Sequence, residues 1–400
     1  MAIRLASRIA AVKPSPTIAA ENKARELRAR GVDVISLTVG EPDFDTPKAV
    51  KQAGIRAIEE GFTKYMPTAG TPELRQAVCA KLSRENGVEY RPEQVIVSVG
   101  AKHTIYNVLM AVVDPGDEVI IPAPYWVSYP DMVLLAGGRP VIVETTAEQG
   151  FKMTAEQLRA AVTPRTKLLI LNTPSNPTGA AYTKAELEAL AKVVVEKDIL
   201  VCSDEIYERL VYDGFVQTAF ASLSPEVYAR TITVNGLSKA YAMTGWRLGY
   251  GAGPVEVVRA MEVVQSQSTS NPSSVTIKAA TFALANPAEE LPMMVAEFDR
   301  RRRFLVDALG SLPGVTCSTP QGAFYAFPNV SRLLGRKTRE GRTIATSYDL
   351  ADYLLDAARV GTVAGAAFGA EGYLRLSYAT AMPKIEEAVA RMRTALSALE

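Results

Sequence analysis

The chain has 400 residues, of which 22% are charged and 48% hydrophobic, and 44 Lys plus Arg against 43 Asp plus Glu leave a formal net charge of +1. These values fit an ordinary globular protein of roughly two to three domains and exclude a disordered chain or one committed to nucleic acid. A single histidine, His103, is too few for the paired imidazoles of most hydrolytic triads and catalytic zinc sites, so acid and base work falls to Lys, Tyr, Asp or a cofactor.

The opening MAIRLASRIAAVKPS carries Arg4, Arg8 and Lys13 without an acid and lacks a continuous apolar core, so it reads as an N-terminal arm or short helix. From residue 94 to 253, short β-rich runs (QVIVSVG, DEVIIPAP, PVIVET, KLLILNTP, ILVCSDEIY, TITVNGLS, RLGYGAG) alternate with helical patterns such as TKAELEALAKVVVEKD. Nearly continuous apolar runs predict strands buried on both faces, hence an α/β fold with a mostly parallel sheet covered by helices on both sides. After residue 290 the pattern changes to charged helices, then GAFYAFPNV, a helix near YDLADYLLDAAR, and YLRLSYA, which predict a smaller α+β unit. Arg300 to Arg303 lie in a helical pattern and read as a solvated helix face. No apolar stretch approaches the roughly 20 residues of a membrane span. Cys79, Cys202 and Cys317 form no CxxC, disulfide framework or zinc site and suit a reducing compartment, so a soluble cytoplasmic protein without a metal, membrane or nucleic-acid partner is expected.

The chemically interesting residues follow the strand-like runs: Gly100 to Lys102, Asn176, Asp204 with Tyr207, and Ser238 with Lys239. In open α/β sheets ligands bind beyond the carboxyl ends of the strands, so these separate runs point at one crevice. Lys239, between small residues after an apolar strand, is either a surface lysine or an amine partly desolvated to form an imine with a carbonyl, pyridoxal phosphate being the common cofactor held in that way. Asp204 ends an apolar run and serves equally well as partner of a protonated pyridine nitrogen or as N-cap of a helix beginning EIYERL. Tyr207 either donates to the cofactor's phenolic oxygen or packs as an amphipathic residue. Asn176 lies in the turn-making NTPSNPTG and offers a second donor. SVGAKHTIYNVLMAV predicts strand, glycine turn and helix, whose free amides can hold a phosphate, with Arg247 as counter-charge.

SKAYAMTGWRLGY, with SDEIYE, PSNPTG, VGEPDFDTP, TKYMPTAGTPELR and PAPYWVSYPDM in that setting, resembles the fold-type I, class I aminotransferases, most closely the prokaryotic aspartate aminotransferase branch that includes prephenate aminotransferases. The resemblance runs from Lys13 to the C-terminus. It implies an N-terminal arm with part of the small domain over residues 1–47, a large cofactor domain over 48–288 and a small domain over 289–400. Lys239 would be the imine lysine and proton shuttle, Asp204 the pyridinium partner, Tyr207 and Asn176 the donors to the phenolic oxygen, and Trp126 the residue stacked on the ring. Arg247, Ser238, the amides of Ala101 and Lys102, and Tyr65 from a neighbouring subunit would hold the phosphate. Arg375 matches the arginine that forks onto the substrate α-carboxylate, and Gly40 the glycine of a mobile segment that closes over the substrate.

The resemblance further implies a homodimer with shared sites, exchanging amino groups between aspartate and 2-oxoglutarate, with prephenate as a further acceptor. Ser266 stands where the animal and enterobacterial branch places an arginine for the distal carboxylate. Lys102 occupies the lysine position that replaces it, and Ser15 and Thr17 match polar positions near the side-chain pocket; a solvated lysine at a helix start is the alternative. Two departures stand out, Ala101 in place of the usual glycine and an altered segment around Asn271. Other outcomes are the same apparatus acting on aromatic or neutral amino acids, diversion of the deprotonated substrate to elimination or cyclisation, or a cofactor-binding sensor without turnover.

Overall fold

The computed structural model describes residue 3, residues 5–286 and residues 288–400; Arg4 of the basic arm lies outside the described residues. A two-residue strand, β1 (Ile35–Ser36), precedes seven strands that form one sheet: β2 (Val95–Ser98), β3 (Glu118–Ala123), β4 (Arg139–Glu144), β5 (Thr166–Asn172), β6 (Leu200–Asp204), β7 (Thr231–Gly236) and β8 (Gly249–Ala252). Their spatial order is β2-β8-β7-β6-β5-β3-β4, parallel throughout except that β8 runs against both neighbours. All seven coincide with the apolar runs of the sequence. β2 and Leu168 to Leu171 of β5 are buried, as befits strands covered on both faces, whereas the edge strand β4 exposes Arg139, Ile142 and Glu144.

Each face of the sheet has its own apolar layer. Ile96, Ile105, Val108, Ile121, Ile170 and Val234 pack together on one side, and Ile120, Leu169, Leu171, Leu187, Val194 and Val201 on the other. The helix Lys184–Glu196 that covers the second layer starts at Thr183, whose hydroxyl accepts from the Glu186 amide while Glu186 returns a carboxylate to the Thr183 amide.

The C-terminal residues add β9 (Tyr325–Ala326), β10 (Val360–Gly361), β11 (Val363–Ala364) and β12 (Leu374–Ser377); β12 lies between β11 and β9, antiparallel to both, and β1 pairs in parallel with β10. Their core joins Leu37, Phe298, Leu305, Phe324, Leu376 and Ile385 and also takes in Ile206 and Tyr207, from the turn after β6. The two cores therefore meet where the crevice lies.

The arginine run corrects the sequence reading. Arg300 and Arg303 do face solvent, but Arg301 and Arg302 are 5% and 1% exposed. Arg301 pairs with Glu297 of its own helix and Asp43, and Arg302 with Asp299 and Asp213. Asp43 and Asp213 are remote in sequence, so helical periodicity alone could not reveal that two of the four charges are matched internally.

Candidate active site

A cavity of about 430 Å³ opens beyond the carboxyl ends of the large sheet, within the range of small-molecule sites. Its lining includes Ser15, Thr17, Gly40, Ala101, Lys102, Trp126, Asn176, Asp204, Tyr207, Ser238, Lys239, Arg247 and Arg375. These are all but one of the residues to which the family resemblance gives a cofactor or substrate contact. The exception is Tyr65, which stands outside the cavity and is 90% exposed. Asn271 bonds the Met66 amide beside it, at 3.4 Å, so the altered segment lies against the Tyr65 loop rather than in the cavity wall.

Lys239 follows β7, and its Nζ donates to the Gly40 carbonyl at 2.6 Å. Burial, followed by the Arg375 charge, lowers its ammonium to about 8. Asp204 ends β6 with 4% exposure, and burial raises its carboxyl to about 6 although the Tyr129 hydroxyl donates to Oδ2 at 2.6 Å. No helix follows it: residues 206 to 209 form a turn, and Oδ1 accepts from the Ile206 amide at 3.3 Å, which replaces the helix-cap alternative by a local turn contact.

Gly100 holds φ at 86° between β2 and the helix Ala101–Val112, and a Cβ there would stand 2.7 Å from Nη2 of Arg247. Only glycine admits both the left-handed turn and the guanidinium. The His103 and Thr104 amides bond back to the Gly100 carbonyl, so the Ala101 and Lys102 amides are the free donors of a helix start, with the Arg247 side chain beside them. Lys102 still meets solvent but lies 4.8 Å over the Trp126 ring, and partial desolvation there, then the neighbouring Arg247 charge, lowers its ammonium. At the same rim the Thr17 hydroxyl is buried without a hydrogen-bond partner.

Arg375, on β12, is 1% exposed. It donates from Nη1 to Oδ1 of Asn176 at 3.0 Å and from Nη2 to the Thr38 carbonyl, while Nε has no partner. Burial lowers its pKa below the usual arginine value. The Tyr207 hydroxyl stands 2.8 Å from that of Tyr325, and burial, with Tyr325 beside it, pushes its phenol well above the ordinary value.

Sequence reasoning missed Tyr129, Tyr325 and Asn172. Asn172 joins two strand ends: Nδ2 donates to the Asp204 carbonyl at 3.0 Å and Oδ1 accepts from the Asn176 amide at 2.9 Å. Its place at the end of an apolar strand was a usable signal. No local pattern links Tyr129 to Asp204 or Tyr325 to Tyr207.

The cavity's charges are left unbalanced. Ion pairs form elsewhere, such as Lys81 with Glu208 and Arg301 with Asp43, but among the described residues none joins Asp204, Lys239, Arg247 or Arg375. A buried carboxylate without a cation, a buried guanidinium without an anion, and an arginine beside free helix-start amides together fit a cationic ring nitrogen, a ligand carboxylate and a phosphate. The residues present thus suit pyridoxal phosphate with an amino-acid substrate.

Residues 32–392 match the family model for aminotransferases of class I and II. The chain is 54% identical over 390 residues to an aspartate/prephenate aminotransferase of Cereibacter sphaeroides, covering 97% of this chain and 98% of that protein. Among solved structures, it superposes on the aspartate aminotransferase of Rhizobium meliloti with a TM-score of 0.97, at 46% identity and full coverage of both chains. The Thermus thermophilus aspartate aminotransferase solved with maleate gives 0.93 at 46% identity, covering 98% of this chain and all of that one.

Proposed function

The chain belongs to the class I and II aminotransferases, and on that premise we propose that it exchanges amino groups between L-aspartate and 2-oxoglutarate with pyridoxal phosphate, and that prephenate is a further amino acceptor. The observation that carries this reading is the set of unmatched charges gathered in one cavity: Asp204, Lys239 and Arg375. Relatives named for aspartate and prephenate support the choice of substrates.

Pyridoxal phosphate, when bound, supplies an aldehyde carbon and a conjugated ring that accepts the electron pair left as a substrate α-proton departs. Lys239, with its ammonium lowered to about 8, presents a useful neutral fraction near neutral pH. Its amine can attack a carbonyl carbon and later take and return the α-proton. Asp204 holds a proton on the ring nitrogen, since its buried carboxylate otherwise lacks a cation. Tyr207 and Asn176 orient the phenolic oxygen, Trp126 covers the ring, and Arg247 with Ser238 and the Ala101 and Lys102 amides holds the phosphate. Arg375 takes the α-carboxylate with its unpartnered Nε. Lys102, Ser15 and Thr17 would receive the distal carboxylate, and the segment at Gly40 would close over the substrate.

The exposed Tyr65 and the apolar Ile55, Ile58 and Val263, also exposed, support a homodimer in which each copy lends Tyr65 to the other's phosphate. Residues 1–47, 48–288 and 289–400 then act as arm, large domain and small domain. No described helix is long and apolar enough to cross a membrane.

The test is a set of half-reactions. The loaded protein is mixed separately with L-aspartate, L-glutamate, L-alanine and L-phenylalanine, and the cofactor's conversion to its amine form is followed by absorbance. Fast conversion by the two dicarboxylates alone is expected; conversion chiefly by alanine or phenylalanine would overturn the substrate assignment.

A further inference from the structure

Tyr325 reaches the cavity from β9 in the C-terminal unit, and the roles given above leave it without one. It is 1% exposed, and its position is fixed by three neighbours. Its hydroxyl lies 2.8 Å from that of Tyr207. The Arg375 guanidinium lies over its ring at 4.6 Å. A Cβ added to Gly40 would stand 2.4 Å from its hydroxyl oxygen. One side chain thus touches the phenolic-oxygen donor, the substrate arginine and the closing segment.

The direction of the hydroxyl pair follows from proton count. A phenol has one proton. If Tyr207 gives its own to the cofactor's phenolic oxygen, Tyr325 must be the donor in the pair, and a hydroxyl that accepts a hydrogen bond becomes a stronger donor itself. The Arg375 charge over the Tyr325 ring draws electron density from the phenol and strengthens its donation. A carboxylate seated on Arg375 cancels part of that charge, so the pull on Tyr325 falls and the hydrogen bond from Tyr207 weakens. A parallel route runs from Arg375 Nη1 to Asn176.

We propose that Tyr325 is a positioning residue that couples carboxylate binding at Arg375, and the seating of Gly40, to the hydrogen bond Tyr207 gives the cofactor. It rests on the reading of Tyr207 and Arg375 given above. Lys239, Glu41, Asp204 and Arg247 also face the cavity. All four remain when only the Tyr325 hydroxyl is removed, so their influence is common to the proteins compared.

The test uses the loaded enzyme and maleate, a dicarboxylate with no amino group to transfer. The pH midpoint of the Lys239-linked cofactor's absorption is measured with and without saturating maleate, in the unaltered protein and in Tyr325→Phe. A maleate-induced shift in the unaltered protein upholds the underlying assignment of Arg375, and its absence there would overturn that assignment and the coupling with it. Given that shift, Tyr325→Phe should retain about half of it or less, because the Asn176 route persists while the cooperative chain is cut. Its KM for aspartate should rise about three- to tenfold with kcat within about twofold, the mark of a lost ground-state contact. Equal shifts in the two proteins would overturn the coupling, since a purely structural hydroxyl would alter stability and leave the shift intact. A second pair of variants tests the contact itself. Gly40→Ala should weaken maleate binding about tenfold or more by overpacking against the hydroxyl, and Gly40→Ala with Tyr325→Phe should bind maleate more tightly than Gly40→Ala alone. No recovery in the double variant would overturn the contact.

Discussion

The deep end of the cavity and its rim hold their charged groups in opposite ways, one buried and one exposed. Asp204 and Arg375 are 4% and 1% exposed, fixed by Tyr129, Asn176 and Thr38, and neither has a counter-ion among the described residues. Lys102 at the rim is exposed, lies over the Trp126 ring, and forms no described ion pair. Tyr65, beyond the rim, is 90% exposed. The deep groups are held in place by buried hydrogen bonds without any ligand, whereas the rim groups meet solvent. In the proposed function, chemistry common to every amino acid belongs with the first set, and selection among amino acids with the second.

The largest expected effect falls on Lys239. Lys239→Ala should lower turnover about 1,000-fold or more, since nucleophile and proton carrier are lost together, and should abolish the absorbance of the lysine-linked cofactor; retained turnover with that absorbance would break the assignment of the deep end. Arg375→Ala comes next. It should reduce kcat/KM for aspartate, glutamate, alanine and phenylalanine alike by about 100-fold, corresponding to about 3 kcal/mol for a buried charge contact. A loss confined to the dicarboxylates would move Arg375 to the selecting end.

Asp204 sharpens the comparison through pH. Its carboxyl is raised from 3.8 to about 6 in the folded protein, so the folded state binds the proton more tightly than the unfolded chain. That contribution to stability is full below pH 3.8 and is lost as pH rises through about 6. Removing the titration with Asp204→Asn should therefore stabilise the cofactor-free protein by about 2 kcal/mol at pH 7 relative to its effect at pH 4, as measured by denaturant unfolding, while weakening cofactor binding. An Asn variant with the same pH dependence as the parent would mean that the carboxylate is satisfied without a ligand.

Lys102→Ala should cost aspartate about tenfold more than alanine in kcat/KM, the mark of a rim selector; equal losses would assign the lysine to the phosphate or the fold. The smallest effect is expected for Tyr65→Phe, about a two- to fivefold weakening of cofactor binding from one lost hydrogen bond, read by equilibrium dialysis of the protein with the cofactor.

The strands were legible because a sheet covered on both faces demands apolar runs, and Lys102, Asn176, Asp204, Tyr207 and Lys239 because they follow those runs, whereas Ser15, Thr17, Gly40, Trp126 and Arg375 were legible only through the family resemblance. Tyr129 was not legible. It sits in a helix after β3, and it meets Asp204 only because β5 lies between β3 and β6 in the sheet order. Tyr325 was hidden for a similar reason, being brought to Tyr207 by the packing of the C-terminal unit against the turn after β6. Arg301 and Arg302 misled the sequence reading because their acids come from residues 43 and 213 as well as from their own helix. Local periodicity reports which face of an element is apolar, and partners fixed by strand order or domain docking leave no trace in it.

The central claim is that the amine at the deep end, and not the one at the rim, carries the cofactor. Borohydride reduction of the protein loaded with pyridoxal phosphate, followed by proteolysis and mass spectrometry, would locate the modified lysine. The account predicts the added mass on the peptide containing Lys239. Modification of Lys102 or another lysine in its place, or no modification, would contradict it.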